Sequence, residues 1–127
     1  MQLRILVLED DAGVRAFLEQ TLAAAGHIVQ TASRPSEASA FVLYDEPMTP
    51  DLAVLDIVLP ERTGVEYARD LRQAFPRVGL LFITGWYTNY ERVQDEARAM
   101  GPVLYKPFDR QALLDAIRPD RTAIRPS

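Results

Sequence analysis

Three acidic residues stand directly behind two apolar runs of this chain. Glu9 and Asp10 follow the run over residues 3–8, and Asp56 closes the run over residues 52–55. Parallel strands that end in carboxylates bring these groups to one sheet edge, where open α/β folds bind their ligands. Carboxylates so close together resist joint ionisation, so the cluster makes physical sense if a hard divalent cation lies among them. The pattern predicts a magnesium site.

Composition limits the other chemistries. The chain has 127 residues, no cysteine, one histidine (His27) and a net charge of −4. These counts exclude thiolate catalysis, cysteine-bound zinc and a histidine metal cluster within the chain. The negative charge argues against nucleic acid and favours a protein partner or a cation. No apolar stretch is long enough to span a bilayer and no signal peptide is evident, so we expect a cytoplasmic protein without membrane contact.

Short apolar runs alternate with segments of helical period, which is typical of βαβ units around a parallel sheet. The predicted strands cover residues 3–8, 28–31, 51–56, 78–83 and 103–105. We expect an α/β sandwich of three layers, with five helices, right-handed crossovers and the sheet order 2-1-3-4-5. The predicted domain covers residues 1–118. Residues 119–127 contain two prolines and no periodicity, and are expected to form a mobile tail.

Capping residues predict where several helices begin and end. Gly26 is placed to end the first helix in a left-handed turn, and Ser33 is a candidate N-cap of the second. Thr88 and Glu91 have the spacing of a capping box for the fourth helix. Asp109 is the predicted N-cap of the fifth.

Four motifs follow the predicted strands in a fixed order. They are Glu9-Asp10 after strand one, Asp56 with Pro60 and Gly64 after strand three, Thr84-Gly85 after strand four, and Lys106-Pro107-Phe108 after strand five. Over about residues 3–118 this arrangement resembles the receiver domain of two-component response regulators. One motif alone is weak evidence, but four in order at strand ends are specific. The resemblance implies a flavodoxin-like (βα)5 fold and a phosphorelay signalling module that is not an enzyme beyond promoting its own phosphorylation and dephosphorylation.

The resemblance assigns the acidic residues to separate roles. Asp56 is the implied nucleophile that accepts a phosphoryl group. Asp10 and Asp56 are the implied direct ligands of Mg²⁺, together with the backbone carbonyl of Val58, whereas Glu9 acts through a coordinated water. Asp11 lies one position beyond the acidic pair and is assigned to the N-cap of the first helix instead.

Further residues are implied to bind the phosphoryl oxygens. Lys106, the only lysine in the chain, supplies a positive charge and pairs with Asp56 before phosphorylation. Its peptide bond to Pro107 is expected to be cis, as is usual in such receivers. Thr84 is expected to donate its hydroxyl, and Gly85 lets the backbone approach closely enough for its N–H to help.

One position departs from the common receiver pattern. Many receivers have Tyr or Phe three residues before the lysine, where this chain has Val103. A stiff aliphatic side chain cannot act as that aromatic switch. Residues 81–86 and 102–108 resemble a subclass of stand-alone receivers that lack the switch aromatic and carry a Phe-x-Thr-Gly-aromatic signature. The loop that starts at Trp86 is then the expected switch region. Trp86 and Val58 would flank the phosphoryl group with apolar side chains, which predicts a long-lived phosphorylated form.

Three functions are considered. The favoured one is a stand-alone receiver, a monomer or weak homodimer, that is phosphorylated by a histidine kinase or a phosphotransfer protein and acts on an unknown downstream protein. A magnesium-dependent phosphohydrolase is disfavoured, because Val58 occupies the place of its second aspartate. A degenerate receiver that serves as a phosphorylation-independent scaffold is less favoured, because all the chemical positions are filled, but the missing switch aromatic keeps it open.

Overall fold

In a computed structural model, which describes residues 1–43, 49–85 and 89–122, strands and helices alternate along the chain. The strands are β1 Arg4–Leu8, β2 Ile28–Ala32, β3 Leu52–Asp56, β4 Gly79–Thr84 and β5 Val103–Tyr105. The helices are α1 Ala12–Ala24, α2 Pro35–Leu43, α3 Gly64–Ala74, α4 Glu91–Met100, α5 Arg110–Ala116 and α6 Pro119–Thr122. All strand pairs are parallel and the sheet order is β2-β1-β3-β4-β5, so the predicted topology is confirmed.

The sheet separates two apolar cores. Consecutive side chains of a strand point to opposite faces, so β1 contributes Leu6 and Leu8 to one core and Ile5 and Val7 to the other. The first core is closed by residues of α2, α3 and α4, and the second by residues of α1 and α5. Because β1, β3 and β4 are covered on both faces, their sequences are almost continuously apolar.

The strand register brings the polar residues together at the carboxyl edge of the sheet. Leu8 lies beside Leu55, so the next residues on each strand, Glu9 and Asp56, are also neighbours. On the other side of β3, Thr84 pairs with Tyr105, and the N–H of Lys106 donates to the carbonyl of Thr84 at 2.7 Å. The fold therefore places four strand ends around one site.

Several predicted helix ends are confirmed. Gly26 has a φ of +98°, the left-handed conformation that favours glycine. The Asp11 carboxylate caps α1 by accepting the N–H of Val14 at 2.9 Å. Asp109 caps α5 in the same way, with the N–H of Ala112 at 2.8 Å.

The prediction of Ser33 as N-cap of α2 is wrong. The helix begins at Pro35, and the Ser33 N–H donates to the Glu37 carboxylate at 3.2 Å. A carboxylate from the β3–α3 loop takes over the capping role, since Glu61 accepts the backbone N–H and the hydroxyl of Ser36 at 3.0 and 2.9 Å. A long-range contact has replaced the local cap.

The start of α4 also differs from the prediction. α4 begins at Glu91, with Tyr90 at the N-cap position and without a side-chain capping bond, whereas the capping-box spacing indicated Thr88, which lies outside the described residues.

The predicted mobile tail starts with α6. Proline suits the first position of a helix, because its missing N–H would have no partner there. Thr122 is buried, and its hydroxyl donates to the carbonyl of Arg118 at 3.3 Å. Residues 123–127 lie outside the described part of the chain. No described helix has the length and apolar character needed to cross a membrane.

Candidate functional site

The structure brings the three predicted acidic residues together. Carboxylate oxygens of Glu9, Asp10 and Asp56 all lie within 4.8 Å of one another. Glu9 and Asp56 are buried, at 0% and 1% exposure, whereas Asp10 is exposed to solvent. The cluster therefore has a buried floor and one open side through which a cation or a phosphoryl donor could enter.

Lys106 reaches into this cluster from the end of β5. Its Nζ donates to both Glu9 carboxylate oxygens, at 2.9 and 3.2 Å, and to Asp56 Oδ2 at 3.1 Å. The expected pairing with Asp56 is confirmed, and the bond between Lys106 and Pro107 is cis, as expected. The contact with Glu9 was not predicted from the sequence.

The charges in the cluster are not balanced. Burial, together with the hydrogen bond and the negative charge of Asp56, raises the pKa of Glu9 to about 8 against the opposing effect of Lys106. Burial also raises the pKa of Asp56. Burial alone would lower the pKa of Lys106, but its contacts with Glu9 and Asp56 outweigh this effect and raise it. One ammonium group faces three carboxyl groups, so the site holds a proton or needs a second cation.

The backbone around Asp56 is closely packed. The N–H of Val58 donates to Asp56 Oδ1 at 3.2 Å and orients the carboxylate. A Cβ atom at Gly64 would lie 2.1 Å from the carbonyl oxygen of Asp56, so only glycine lets α3 begin this close to the site. The backbone N–H of Gly64 also donates to the carbonyl of Ile57 at 2.9 Å.

Thr84 and Gly85 lie at the end of β4, beside the cluster. Thr84 is fully buried, and its hydroxyl donates to the carbonyl of Gly85 at 3.2 Å. Val103 is half-buried and packs against the core under α3 and α4. Trp86 lies outside the described residues, so its predicted role in the switch region stays a prediction.

Sequence reasoning missed one residue that touches the backbone of the acidic pair. The guanidinium of Arg15 in α1 donates to the carbonyl of Glu9 at 2.9 Å and to that of Asp10 at 3.3 Å. Its position four residues after the N-cap Asp11 was the available signal, because such a residue lies on the helix turn nearest the end of β1.

With the geometry established, comparison with known proteins identifies the family. The chain belongs to the response regulator receiver domain family, whose model matches residues 5–118. It is similar to the response regulator MprA of Mycolicibacterium vanbaalenii, with 34% identity over 118 residues that cover 93% of this chain and 50% of MprA. MprA of Mycobacterium tuberculosis matches with the same identity and coverage. The chain thus spans about half the length of these relatives.

Solved structures agree with this assignment. The chemotaxis protein CheY4 of Vibrio cholerae has a TM-score of 0.81 and 25% identity, covering 96% of this chain and 99% of CheY4. The response regulator TrrA of Thermotoga maritima, solved in complex with Mg²⁺ and BeF, has a TM-score of 0.75 and 27% identity, covering 92% of this chain and 96% of TrrA. Receiver domains are signalling modules of two-component systems and not conventional enzymes, and they bind Mg²⁺ at an acidic pocket.

Proposed function

We propose that this chain accepts a phosphoryl group on Asp56 from a histidine kinase or a histidine phosphotransfer protein and signals by binding a downstream protein. The observation that carries the proposal is the position of Lys106, whose Nζ contacts both Asp56 and Glu9 within the acidic cluster. A lysine held against a buried aspartate is placed to follow the negative charge that phosphorylation would add.

Mg²⁺ fits the groups present. Every side-chain ligand offered is an oxygen, and Mg²⁺ prefers a few carboxylates, retained waters and phosphoryl oxygens. Asp10, Asp56 and the carbonyl of Val58 would hold the ion, and Glu9 would act through a coordinated water. The raised pKa of Glu9 supports this assignment, because burial and the neighbouring Asp56 disfavour the ionised form of Glu9 more than Lys106 favours it. Similarity to TrrA, solved with Mg²⁺ and BeF, also supports it.

The transfer itself needs little covalent chemistry from the protein. A carboxylate oxygen of Asp56 attacks the phosphorus as the bond from phosphorus to the donor imidazole nitrogen breaks, and that nitrogen keeps the electron pair. The other ring nitrogen of the donor carries a proton, so the imidazole leaves as a neutral group. Mg²⁺ held by Asp10, Asp56 and the carbonyl of Val58 would offset the charges of the carboxylates and the phosphoryl oxygens. Lys106 moves its hydrogen bond from Asp56 Oδ2 to a phosphoryl oxygen, while the N–H of Val58 holds the other oxygen of Asp56.

Thr84 and Gly85 complete the proposed phosphoryl site. The hydroxyl of Thr84 donates to the carbonyl of Gly85 before phosphorylation. Rotation of this hydroxyl would give the phosphoryl group a donor, and the N–H of Gly85 would supply another. Because Val103 replaces the usual aromatic, the change is proposed to pass to the segment that begins at Trp86.

Intact-protein mass spectrometry tests the proposal. The chain is incubated with acetyl phosphate, with and without Mg²⁺, beside Asp56→Asn, which keeps the side-chain shape and removes the nucleophile. We expect one phosphoryl group per chain, dependent on Mg²⁺ and absent from the variant. An unmodified wild-type chain would contradict the assignment.

The half-buried aliphatic side chain of Val103 favours a second candidate, a receiver that binds its partner without phosphorylation. Fluorescence of Trp86, the single tryptophan, separates the two. A response to beryllofluoride that requires both Mg²⁺ and Asp56 supports phosphorylation-dependent signalling. A response that survives in Asp56→Ala supports the scaffold.

A further inference from the structure

Arg15 contacts the backbone of the acidic pair Glu9-Asp10 and not its carboxylates. It lies in the first turn of α1, and one guanidinium nitrogen donates to the carbonyls of Glu9 and Asp10. Among the described residues it forms no ion pair shorter than 4 Å, although the chain contains 18 acidic residues. An arginine used in this way holds backbone geometry and does not neutralise a particular carboxylate.

The residues that follow β1 depend on this contact to different degrees. Glu9 is held independently, because its N–H donates to the carbonyl of Ala32 at 3.0 Å and its carboxylate accepts from Lys106. Asp10 is exposed, and no described residue donates a hydrogen bond to its carboxylate. The backbone is therefore what fixes where the Asp10 side chain is attached, and Arg15 holds the peptide units on both sides of Asp10.

We propose that Arg15 is a positioning residue that sets the place of Asp10 as a ligand and thereby favours Mg²⁺ over larger cations. The inference rests on the proposed function, since it concerns the same cation site. Mg²⁺ requires nearly ideal octahedral geometry with bonds of about 2.0–2.1 Å, whereas Ca²⁺ accepts irregular arrangements at about 2.3–2.6 Å. A less firmly held Asp10 should therefore weaken Mg²⁺ binding more than Ca²⁺ binding.

The sign of the effect separates positioning from simple electrostatics. Removal of a positive charge beside three carboxyl groups would strengthen the binding of any dication by Coulomb's law. The positioning role predicts the opposite for Mg²⁺. Partners that orient metal ligands typically contribute about 10–100-fold to metal affinity, so we expect Arg15→Gln to raise the Kd for Mg²⁺ about 10-fold.

Isothermal titration calorimetry of the full chain with Mg²⁺ and with Ca²⁺ provides the test. Arg15→Gln should change the Kd for Ca²⁺ by less than about 3-fold, so the ratio of the two constants shifts toward Ca²⁺. Arg15→Lys keeps the charge but lacks the planar guanidinium, and should restore part of the Mg²⁺ affinity. Arg4→Gln is the matched control, because Arg4 is exposed at the opposite end of β1 and should leave both constants unchanged.

The outcomes distinguish this inference from the function on which it rests. Absence of Mg²⁺ binding by the wild-type chain would refute the magnesium site itself. Wild-type binding combined with an unchanged or lower Kd for Mg²⁺ in Arg15→Gln would overturn only the role of Arg15, as would an equal loss for both cations. If Arg15→Gln does not fold, Arg15→Lys decides by the same ratio.

Discussion

Binding of Mg²⁺ should release a proton from Glu9. Burial and Asp56 raise the pKa of Glu9 to about 8, so at pH 7 only about one tenth of the Glu9 side chains are ionised before the metal arrives. A cation in the cluster favours the ionised form, so each binding event at pH 7 should release about 0.9 proton. A change of pH across the pKa of Glu9 should therefore change the affinity for Mg²⁺.

The size of the effect follows from the same pKa. If binding requires ionised Glu9, the apparent Kd is proportional to one plus the ratio of protonated to ionised Glu9. This factor is about 100 at pH 6 and about 2 at pH 8 for a pKa of about 8, so Mg²⁺ should bind about 50-fold more tightly at pH 8. Lower pH opposes binding because the proton and the metal compete.

Calorimetric titration with Mg²⁺ in buffers of different ionisation enthalpy measures both the Kd and the number of protons released. Glu9→Gln is the matched control, because it keeps the size of the side chain and removes its titration. We expect its Kd to depend less on pH and its proton release at pH 7 to fall well below that of the wild type. A wild-type Kd that varies less than about 3-fold from pH 6 to 8, without proton release, would refute the reasoning.

Three other predictions concern stability and lifetime. Folded Glu9 keeps its proton up to about pH 8, whereas the unfolded chain loses it near pH 4.5, so the metal-free protein should lose stability as the pH rises between these values. Urea unfolding measures this, and a free energy of unfolding that rises in that window would contradict it. Gly64→Ala should lower the free energy of unfolding by about 2 kcal/mol or more, because the new Cβ would overlap the Asp56 carbonyl; unchanged urea unfolding would exclude that packing. Phosphorylated Asp56 should keep its phosphoryl group well beyond a few seconds after donor removal, because the apolar side chain of Val58 cannot orient a hydrolytic water. Mass spectrometry over time measures the decay, and loss of the phosphoryl group within seconds would contradict this prediction.

Local pattern was sufficient to predict the sheet and the acidic cluster. Continuous apolar runs mark strands covered on both faces, and a carboxylate directly after such a run must lie at the carboxyl edge of a parallel sheet. Glu9, Asp10 and Asp56 could therefore be brought together without coordinates. The residues that end α1 and begin α5 were equally predictable, because their capping contacts are made within a few positions along the chain.

Only the tertiary structure decided how the charges of the site are arranged. Lys106 is separated from Glu9 by 97 positions. Its simultaneous hydrogen bonds to Glu9 and Asp56 depend on distances between side chains that no local pattern specifies. The same holds for Glu61 at the start of α2 and for Arg15 behind the acidic pair. The pKa of Glu9 depends on burial and on these neighbours together, so it exists as a property of the folded molecule and not of the sequence motif.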